Sequence, residues 1–347
     1  MNVIAKAVEK AWYQQHLWIW ILLPLMWLFA GISALRRGLY RAGVKKSVKP
    51  NVPVVVVGNI SVGGTGKTPL VIALCQALLN AGFTPGVVSR GYGGRLPDTE
   101  TYPALVSRDS AAQQVGDEPA LMTQNLNCAV MIDPIRSRAA TVLVEQYHCD
   151  VIVCDDGLQH YALGRDVEIV VVDATRRFGN QQLLPVGPLR EGTWRLNQVD
   201  FIVCNQTGGD AATPPKNSDY VEHPMLLQAK VAVNVLDNGK TRAIGSFEKP
   251  VVAMAGIGHP QRFFTMLESK GLALAQSRVL ADHHAFTASD IPDAALGSVL
   301  MTEKDAVKCR HIAHSDCWYV PVEAQLSAAF LQQFIEKITT SQTIQTS

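Results

Sequence analysis

Short apolar runs recur along the chain and are separated by longer stretches with helical periodicity. Six of these runs are rich in small and β-branched side chains; they are residues 54–57, 86–89, 129–132, 151–154, 168–172 and 201–204. Continuous apolar runs of this length are typical of strands that are buried on both faces. Their alternation with helical stretches predicts an α/β fold, with a parallel sheet that carries helices on both faces.

The pattern changes after the sixth run. Residues 206–224 are polar, rich in Pro and Gly and without periodicity, which predicts a linker or long loop. Apolar periodicity returns in residues 225–347. We therefore expect residues 50–205 to form a core unit and residues 225–347 to form a second, smaller α/β portion that closes a cleft against it.

The N-terminal 49 residues follow a different pattern. Residues 17–35 carry no charge, and four of the six tryptophans lie in or just before this stretch. Nineteen uncharged positions lie near the lower limit for crossing a bilayer, and tryptophan favours the membrane interface. Pro24 is expected to kink or break a helix there. Whether the segment spans the membrane or lies in its interface stays open, although Pro24 and the tryptophans favour the interface.

Charge supports a membrane-associated N-terminus. The net charge is +1, but residues 1–49 carry eight Lys or Arg and one Glu, a formal +7 that leaves −6 for the remainder. The basic residues after position 35 form a collar that would stay cytoplasmic, against anionic headgroups. This pattern indicates a phospholipid surface and no nucleic acid as a partner. A cleaved signal peptide and a buried core helix are the alternatives for this segment.

Cysteine usage indicates a reducing compartment. The seven cysteines are scattered, form no C-x-x-C pair and lie mostly in apolar runs. We expect free thiols and no zinc site.

The first run leads into a glycine-rich loop. Residues 61–68 read S-x-x-x-x-G-K-T, the phosphate-binding P-loop pattern with Ser in place of the first Gly. The alternative is a Gly-rich turn that binds nothing, but strand, loop and predicted helix follow in the required order. The predicted ATP-binding residues are Ser61, Val62, Gly63, Gly64, Thr65, Gly66, Lys67 and Thr68. Lys67 would reach the β- and γ-phosphates, and Thr68 would bind Mg²⁺.

Two adjacent carboxylates follow the run at 151–154. Asp155 and Asp156 stand at the carboxyl end of a predicted parallel strand, where ligands bind in open sheets. Such a pair is costly without a cation, so Mg²⁺ opposite the P-loop is the expected partner. The alternative is a helix-capping Asp beside a solvated one. His160, nearby, is as consistent with a structural role as with a functional one.

Charged residues in two further loops could act on a substrate. Arg90 and Arg95 flank the Gly-rich turn of "SRGYGGR" and could clamp an anion, although solvated surface arginines are an alternative. Asp117 and Glu118 of "VGDEP" precede a proline at a probable helix start. Acidic residues there often only complement the helix dipole.

The remaining candidates lie in two more loops. Arg190 and Glu191 of "LLPVGPLREG" stand in a rigid Pro/Gly-rich loop that could present both to a cleft. Asp282, His283 and His284 are consecutive, and a histidine beside a carboxylate suits acid/base chemistry or anion binding. A structural pair is an equal alternative.

Taken together, these segments resemble the tetraacyldisaccharide 4′-kinase family of lipid A biosynthesis. The resemblance is carried by "GNISVGGTGKTP", "SRGYGG", "GDEP", "DDGLQH", "LLPVGPLREG", "DHHAF" and "TEKDAVK", in family order between Gly58 and Lys308. It implies a P-loop fold and attachment to the cytoplasmic face of the bacterial inner membrane. It also implies transfer of the γ-phosphate of ATP to the 4′-hydroxyl of a membrane-embedded, tetra-acylated glucosamine disaccharide 1-phosphate, with Mg²⁺.

The resemblance also implies roles for the acidic and P-loop residues. Lys67 and Thr68 would serve phosphate and metal, while Asp155 and Glu191 would be metal-associated acids. Asp156 would stand beside them in the site.

The proton-transfer roles are likewise implied by the resemblance. Asp117 would accept the proton of the sugar hydroxyl, and His283 would tune or orient it, while Arg90 would stabilise phosphate. "TEKD" resembles a segment that reads the nucleotide base. Ser61 is an accepted variant of the first P-loop position.

The competing hypothesis from another class is a membrane-attached regulatory or chaperone-type P-loop NTPase, although the sequence offers no obvious metal-delivery cluster.

Overall fold

The computed structural model describes residues 3–14, 16–206, 220–248, 250–282 and 284–346. Most of the predicted linker at 206–224 and the predicted catalytic His283 therefore lie outside the described residues. The strands, in chain order, are β1 Val54–Gly58, β2 Pro85–Ser89, β3 Ala104–Val106, β4 Ala129–Ile132, β5 Val151–Asp155, β6 Val167–Asp173, β7 Phe201–Asn205, β8 Glu222–Ala229, β9 Val231–Asn234, β10 Thr241–Ala243, β11 Val251–Ala255, β12 Leu274–Val279, β13 Ser298–Thr302, β14 Cys317–Val320 and β15 Val322–Leu326.

The α-helices surround these strands. In chain order they are α1 Val3–Gln14, α2 Leu23–Arg41, α3 Lys67–Asn80, α4 Ala112–Val115, α5 Asp117–Asn125, α6 Arg136–Tyr147, α7 Pro260–Ser269, α8 Glu303–Cys309 and α9 Ala328–Thr346. Short 3₁₀ segments connect several of them, including Leu17–Leu22 before α2 and Thr193–Gln198 before β7.

The first sheet has nine strands in the order β15-β8-β7-β6-β1-β5-β2-β4-β3. Strands β8 to β4 in this order are parallel, and the two edge strands, β15 and β3, run antiparallel to their neighbours. All six predicted strands are present, each within one residue of its predicted bounds. The predicted α/β class is confirmed.

Helices cover both faces of this sheet, as predicted. Alternate residues of β1 point to opposite sides: Val55 and Val57 join a core with α3, α5 and α9, whereas Val54 and Val56 join a core with α6. All four valines are fully buried. Because strand side chains alternate, a run that is apolar at every position can serve both layers.

A six-stranded sheet in the order β10-β9-β14-β13-β11-β12 forms the smaller α/β portion with α7 and α8. The sheets divide the chain differently from the predicted boundaries, since β8, β15 and α9 all belong with the first sheet although most of them lie in residues 225–347. The chain thus enters the second sheet after Ala229 and returns after Val320. The domain division itself stays a prediction.

The N-terminal apolar segment lies on the outside of the molecule. None of the residues of α2 is buried, so the buried-core alternative is wrong. Trp27 and Ile32 are 70% and 59% exposed. Pro24 does not interrupt a helix; it occupies the first turn of α2, where the 3₁₀ segment Leu17–Leu22 gives way to α-helix. By length and composition, Leu17–Arg41 is long and apolar enough to cross a membrane.

The cysteines are free thiols, as expected, and six of the seven are buried. Within the described part of the chain, no group of three or more His, Cys, Asp or Glu residues could hold a metal ion.

Candidate nucleotide-binding and catalytic site

The P-loop pattern forms the turn between β1 and α3. Gly63 and Gly66 have positive φ angles of 108° and 93°, a conformation that favours glycine. A Cβ on Gly66 would also lie 2.7 Å from Nδ2 of Asn205. Ser61 instead forms an antiparallel bridge with Leu189, in extended backbone. The first position of the pattern therefore needs no glycine here, which explains why serine is accommodated.

Neighbouring segments brace the loop from behind. Asn205 donates from Nδ2 to the Thr65 carbonyl at 3.0 Å, and Asn59 donates to the Gly63 carbonyl at 3.3 Å. The backbone N–H of Val62 donates to the Pro188 carbonyl at 2.9 Å. Because these contacts already hold the loop in place, the loop would lose less conformational entropy when a ligand binds.

A cleft of about 1130 Å³ opens above the P-loop, between the two sheets and α2. It brings together most of the residues selected from the sequence. Those that line it are Gly63, Gly64, Thr65, Gly66, Lys67, Thr68, Arg90, Asp155, Asp156 and Glu191. Ser61 and Val62, at the base of the loop, and the exposed Arg95 are not among the residues that line the cleft.

Lys67 and Asp156 face each other across the cleft floor. Nζ of Lys67 lies 3.4 Å from Oδ1 of Asp156, and Arg190 contacts the same carboxylate at 3.1 Å. Burial works against ionisation of this carboxyl, but the two cations prevail and lower the pKa of Asp156. Asp156 is thus an anion that holds Lys67 at the mouth of the phosphate-binding loop.

Asp155 has the opposite environment. It is 2% exposed, and its Oδ1 atom has no hydrogen-bond partner among the residues that the structure describes. Burial, with the carboxylates of Glu118 and Asp156 nearby, raises the pKa of Asp155 to about 7. A buried carboxylate oxygen without a partner, in the cleft that Thr68 also lines, fits a hard divalent cation such as Mg²⁺, which prefers oxygen ligands.

Glu191 is 4% exposed and already engaged. It accepts hydrogen bonds from the Tyr161 hydroxyl and from Gln159, the latter at 3.2 Å. Arg37 and Arg195 pair with its carboxylate at 3.5 and 3.6 Å. Since Arg37 belongs to α2, this carboxylate connects the N-terminal helix to the cleft. Its predicted metal role stays a prediction.

The two glycine-containing motifs at 89–94 and 115–119 pack against each other. A Cβ on Gly94 would lie 2.5 Å from both the Gln114 carbonyl and the Gly116 nitrogen, and one on Gly116 would lie 2.7 Å from the Tyr92 carbonyl. The glycines of "SRGYGG" therefore allow close approach of two backbones rather than flexibility, and they place Arg90 at the cleft.

This packing fixes Asp117 at the first turn of α5. Asp117 is buried, and Lys308 of α8 lies 3.5 Å from its carboxylate. Its neighbour Glu118 lines the cleft. Asp117 itself is not among the residues that line the cleft, and its predicted role as the base stays a prediction.

The motifs from the second portion meet α5 from the other side. Lys304 of "TEKD" lies 3.6 Å from Glu118 and 3.4 Å from Asp282 of "DHHAF". Burial opposes protonation of this amine, but the acidic neighbours raise the pKa of Lys304 overall. Thr302, Glu303, Lys304 and Asp282 line the cleft. His284 instead pairs with Asp290 at 3.2 Å.

His160 lines the cleft beside Arg136, whose guanidinium lies 3.4 Å from Nδ1 of the imidazole. Burial, followed by the positive charges of Arg136 and Arg165, lowers the pKa of His160 to about 4. The imidazole is neutral at physiological pH.

Sequence reasoning missed two contributions to the cleft. Phe29, Ser33 and Arg36 of α2 form part of its wall, although the segment was selected only for membrane affinity. Arg136, at the start of α6, is buried and donates to the Asp156 carbonyl at 3.1 Å. The sequence shows only an arginine at the start of α6, which is a weak signal because arginines are mostly exposed.

A family model described as tetraacyldisaccharide-1-P 4′-kinase, LpxK, matches residues 18–339. The chain belongs to this family. A tetraacyldisaccharide 4′-kinase of Pseudoalteromonas atlantica is 52% identical over 91% of this chain and 99% of its own length. Proteins of the same description from Shewanella sp. (strain ANA-3) and Aeromonas hydrophila are 48% and 47% identical, each over 95% of this chain and 95% and 96% of their own lengths.

The fold agrees with this membership. A crystal structure of LpxK from Aquifex aeolicus in complex with ATP has a TM-score of 0.78 and 26% identity, covering 93% of this chain and 99% of that one. The chain is therefore a kinase, and the regulatory NTPase hypothesis is not favoured.

Proposed function

We propose that this protein transfers the γ-phosphate of ATP to the 4′-hydroxyl of a tetra-acylated glucosamine disaccharide 1-phosphate, giving lipid IVA in lipid A biosynthesis. One observation carries the proposal: the cleft that contains the P-loop and the acidic pair has an exposed apolar helix, α2, as part of its wall. Such a wall suits an acceptor whose acyl chains stay in the bilayer. Family membership supports the same reaction.

The P-loop holds the donor. Lys67 exchanges its contact with Asp156 for the β- and γ-phosphates of ATP, while the N–H groups of the loop and the start of α3 surround the phosphate oxygens. Asp156 and Arg190 stay paired beside them. Phosphoryl transfer depends mostly on such positioning and charge neutralisation.

Thr68, Asp155 and Glu191 are the residues that would hold Mg²⁺. The cation, when bound, supplies charge neutralisation at the phosphate oxygens. The carboxylate of Asp155 is suited to it because burial leaves one of its oxygens without a partner among the described residues.

The acceptor hydroxyl needs a base. In the proposed step the 4′-oxygen bonds to the γ-phosphorus, the bond to the bridging oxygen of ADP breaks, and the hydroxyl proton passes to Asp117. His283 would orient or tune Asp117, and Arg90, on the cleft wall, would stabilise phosphate charge.

We place the enzyme at the cytoplasmic face of the bacterial inner membrane. Support comes from the exposed apolar residues of α2 and from the basic residues that follow them, including Arg41, Lys45 and Lys46. A helix with this arrangement binds anionic bilayers through both burial and charge.

The test is a transfer assay with γ-labelled ATP, Mg²⁺ and the tetra-acyl disaccharide 1-phosphate in detergent micelles. Label should appear in the lipid with the wild-type protein and be absent with Lys67→Ala. Label released only as inorganic phosphate, with the lipid present, would replace the kinase with a nucleotide hydrolase.

A further inference from the structure

Arg176 stands at the edge of the P-loop, in a position that the reaction described above does not use. It lies in the loop between β6 and the 3₁₀ segment before β7. Its NH1 atom is 2.9 Å from the place that a Cβ on Gly63 would occupy, so the guanidinium rests directly against the P-loop backbone. Its side chain is 14% exposed.

Helix α1 holds this guanidinium from the other side. Glu9 forms an ion pair with Arg176, and the Tyr13 ring lies under the guanidinium, with Cζ 4.3 Å from the ring centroid. An arginine that is paired with a carboxylate and stacked on an aromatic ring loses most of its rotational freedom. The charge therefore has a fixed place.

Helix α1 is also held in place by contacts that do not involve Arg176. The indole N–H of Trp12 donates to the Pro185 carbonyl at 2.9 Å, and the Asn180 N–H donates to the Trp12 carbonyl at 3.0 Å. Ala11 packs in a buried apolar cluster with Val186 and Ile19. Helix α1 is thus bound along the loop that carries Arg176.

The same loop supports the P-loop and contacts helix α7 of the second α/β portion. Its far end gives the Pro188 carbonyl to Val62 at 2.9 Å. At its near end Asp173 accepts from the Arg176 backbone N–H at 2.9 Å and pairs with Arg262 of α7 at 2.6 Å. A displacement of this loop would therefore reach the nucleotide cleft.

We propose that Arg176 is a positioning residue for ATP and that α1, through Glu9 and Tyr13, is part of the nucleotide site. The fixed guanidinium supports the P-loop at Gly63 and adds positive charge where the phosphates bind. The apolar N-terminus then has two separate tasks: α2 meets the membrane and the acceptor, whereas α1 sets the affinity for the donor. This inference rests on ATP binding at the P-loop, as in the proposed function.

The test is nucleotide binding to the full-length protein in detergent micelles, measured by calorimetry with a non-hydrolysable ATP analogue and Mg²⁺. Arg176→Gln should raise the Kd about tenfold and Glu9→Gln about threefold, the size expected from losing one charge-assisted contact. The double variant with Glu9→Gln and Arg176→Gln should have the same Kd as Arg176→Gln alone, because both substitutions break the same ion pair. Lys10→Gln, at an exposed site on the same helix, is the matched control and should bind normally.

Kinetics separate positioning from a general structural role. The KM for ATP should rise in both variants, whereas the KM for the acceptor lipid and the melting temperature should stay near those of the wild type. Arg176→Lys should recover part of the ATP affinity. Normal ATP affinity in Arg176→Gln, or equal changes in both KM values with a lowered melting temperature, would overturn the proposal. Because binding is measured without the acceptor, a wild-type protein that binds ATP but transfers nothing to lipid would instead contradict the proposed function.

Discussion

Asp155 and Asp156 are neighbours in sequence, yet their surroundings shift their pKa values in opposite directions. Lys67 and Arg190 stabilise the anion of Asp156, whereas Asp155 is buried with other carboxylates nearby. The two residues are of the same type, so the difference comes from their surroundings: Asp156 forms ion pairs with Lys67 and Arg190, whereas Asp155 is suited to bind a metal cation.

The two asparagine variants should differ accordingly. Asp155→Asn should raise the Mg²⁺ concentration needed for half-maximal transfer about 10- to 100-fold. Without Mg²⁺ its melting temperature should equal or exceed that of the wild type, because a buried, unfavourable charge is gone. Asp156→Asn, the matched control, should lower the melting temperature, since Lys67 and Arg190 lose their shared partner. Mg²⁺ titrations and thermal melts check both, and identical behaviour of the two variants would contradict the assignment.

Asp117 provides a test of the base. Asp117→Ala should lower turnover by about 10²- to 10⁴-fold, the usual size of general-base catalysis, while ATP still binds. Lys67→Ala should weaken both turnover and ATP binding. Single-turnover kinetics and calorimetry make the comparison. In Asp117→Ala, Lys308 still has an ion-pair partner in Asp305, 3.1 Å away. The variant should therefore remain folded, and a thermal melt checks this. Near-normal turnover in Asp117→Ala would show that Asp117 is not the general base.

His160 makes stability depend on pH. With its pKa lowered to about 4 from an ordinary 6.5, the native state binds fewer protons than the unfolded state between these values. Stability is therefore lost as pH falls from 6.5 towards 4. The decrease in melting temperature between pH 7.5 and pH 5 should be smaller in His160→Gln than in the wild type. An equal decrease would show that His160 does not contribute to it.

At the scale of elements, the contact between the turns at 89–94 and 115–119 positions both Arg90 and Asp117. Gly94→Ala places a methyl group against two backbone atoms that cannot rotate away. We expect a loss of about 1–3 kcal/mol of unfolding free energy and a reduced kcat with little change in ATP affinity. Gly38→Ala, with nothing within 4 Å of the added methyl, is the control and should change stability by no more than about 1 kcal/mol. Denaturant unfolding measures both, and equal effects would contradict the steric argument.

The elements that sequence predicts well are those that are buried on both faces. The central strands show continuous apolar runs because helices cover both sides of the sheet. The edge strands β3 and β15, and β8 beside β15, escaped prediction wholly or in their bounds, because exposed or half-buried positions interrupt their apolar pattern. Membership of a sheet depends on which distant strand is adjacent, and no local pattern carries that information.

The same reasoning applies to the site. Lys67, Thr68, Asp155 and Asp156 could be selected because each follows a strand that delivers it to one edge of the sheet. Arg136 could not be selected in this way, because its importance depends on contacts with residues 20 or more positions away. Residue type and spacing reveal chemistry that is local in sequence, whereas tertiary neighbours require the fold.

At the scale of the whole molecule, α2 belongs to both the cleft and the outer surface. Trp27→Glu with Ile32→Glu should reduce co-sedimentation with anionic lipid vesicles, because two exposed apolar anchors become charged. ATP binding should be unaffected, since neither residue lines the cleft. Leu296→Glu, an equally exposed apolar residue of the second portion, is the control and should sediment as the wild type does. Unchanged sedimentation of the double variant would contradict the membrane assignment.

The position of α2 in the cleft wall has a consequence for how the enzyme encounters its acceptor. Phe29, Ser33 and Arg36 face the cleft on the same helix that presents Trp27 and Ile32 outward. In the proposed membrane-bound enzyme, an acceptor held in the bilayer would arrive by lateral diffusion in two dimensions. The turnover rate should then follow the mole fraction of acceptor in the bilayer rather than its bulk concentration, and adding inert phospholipid should slow the reaction by surface dilution alone.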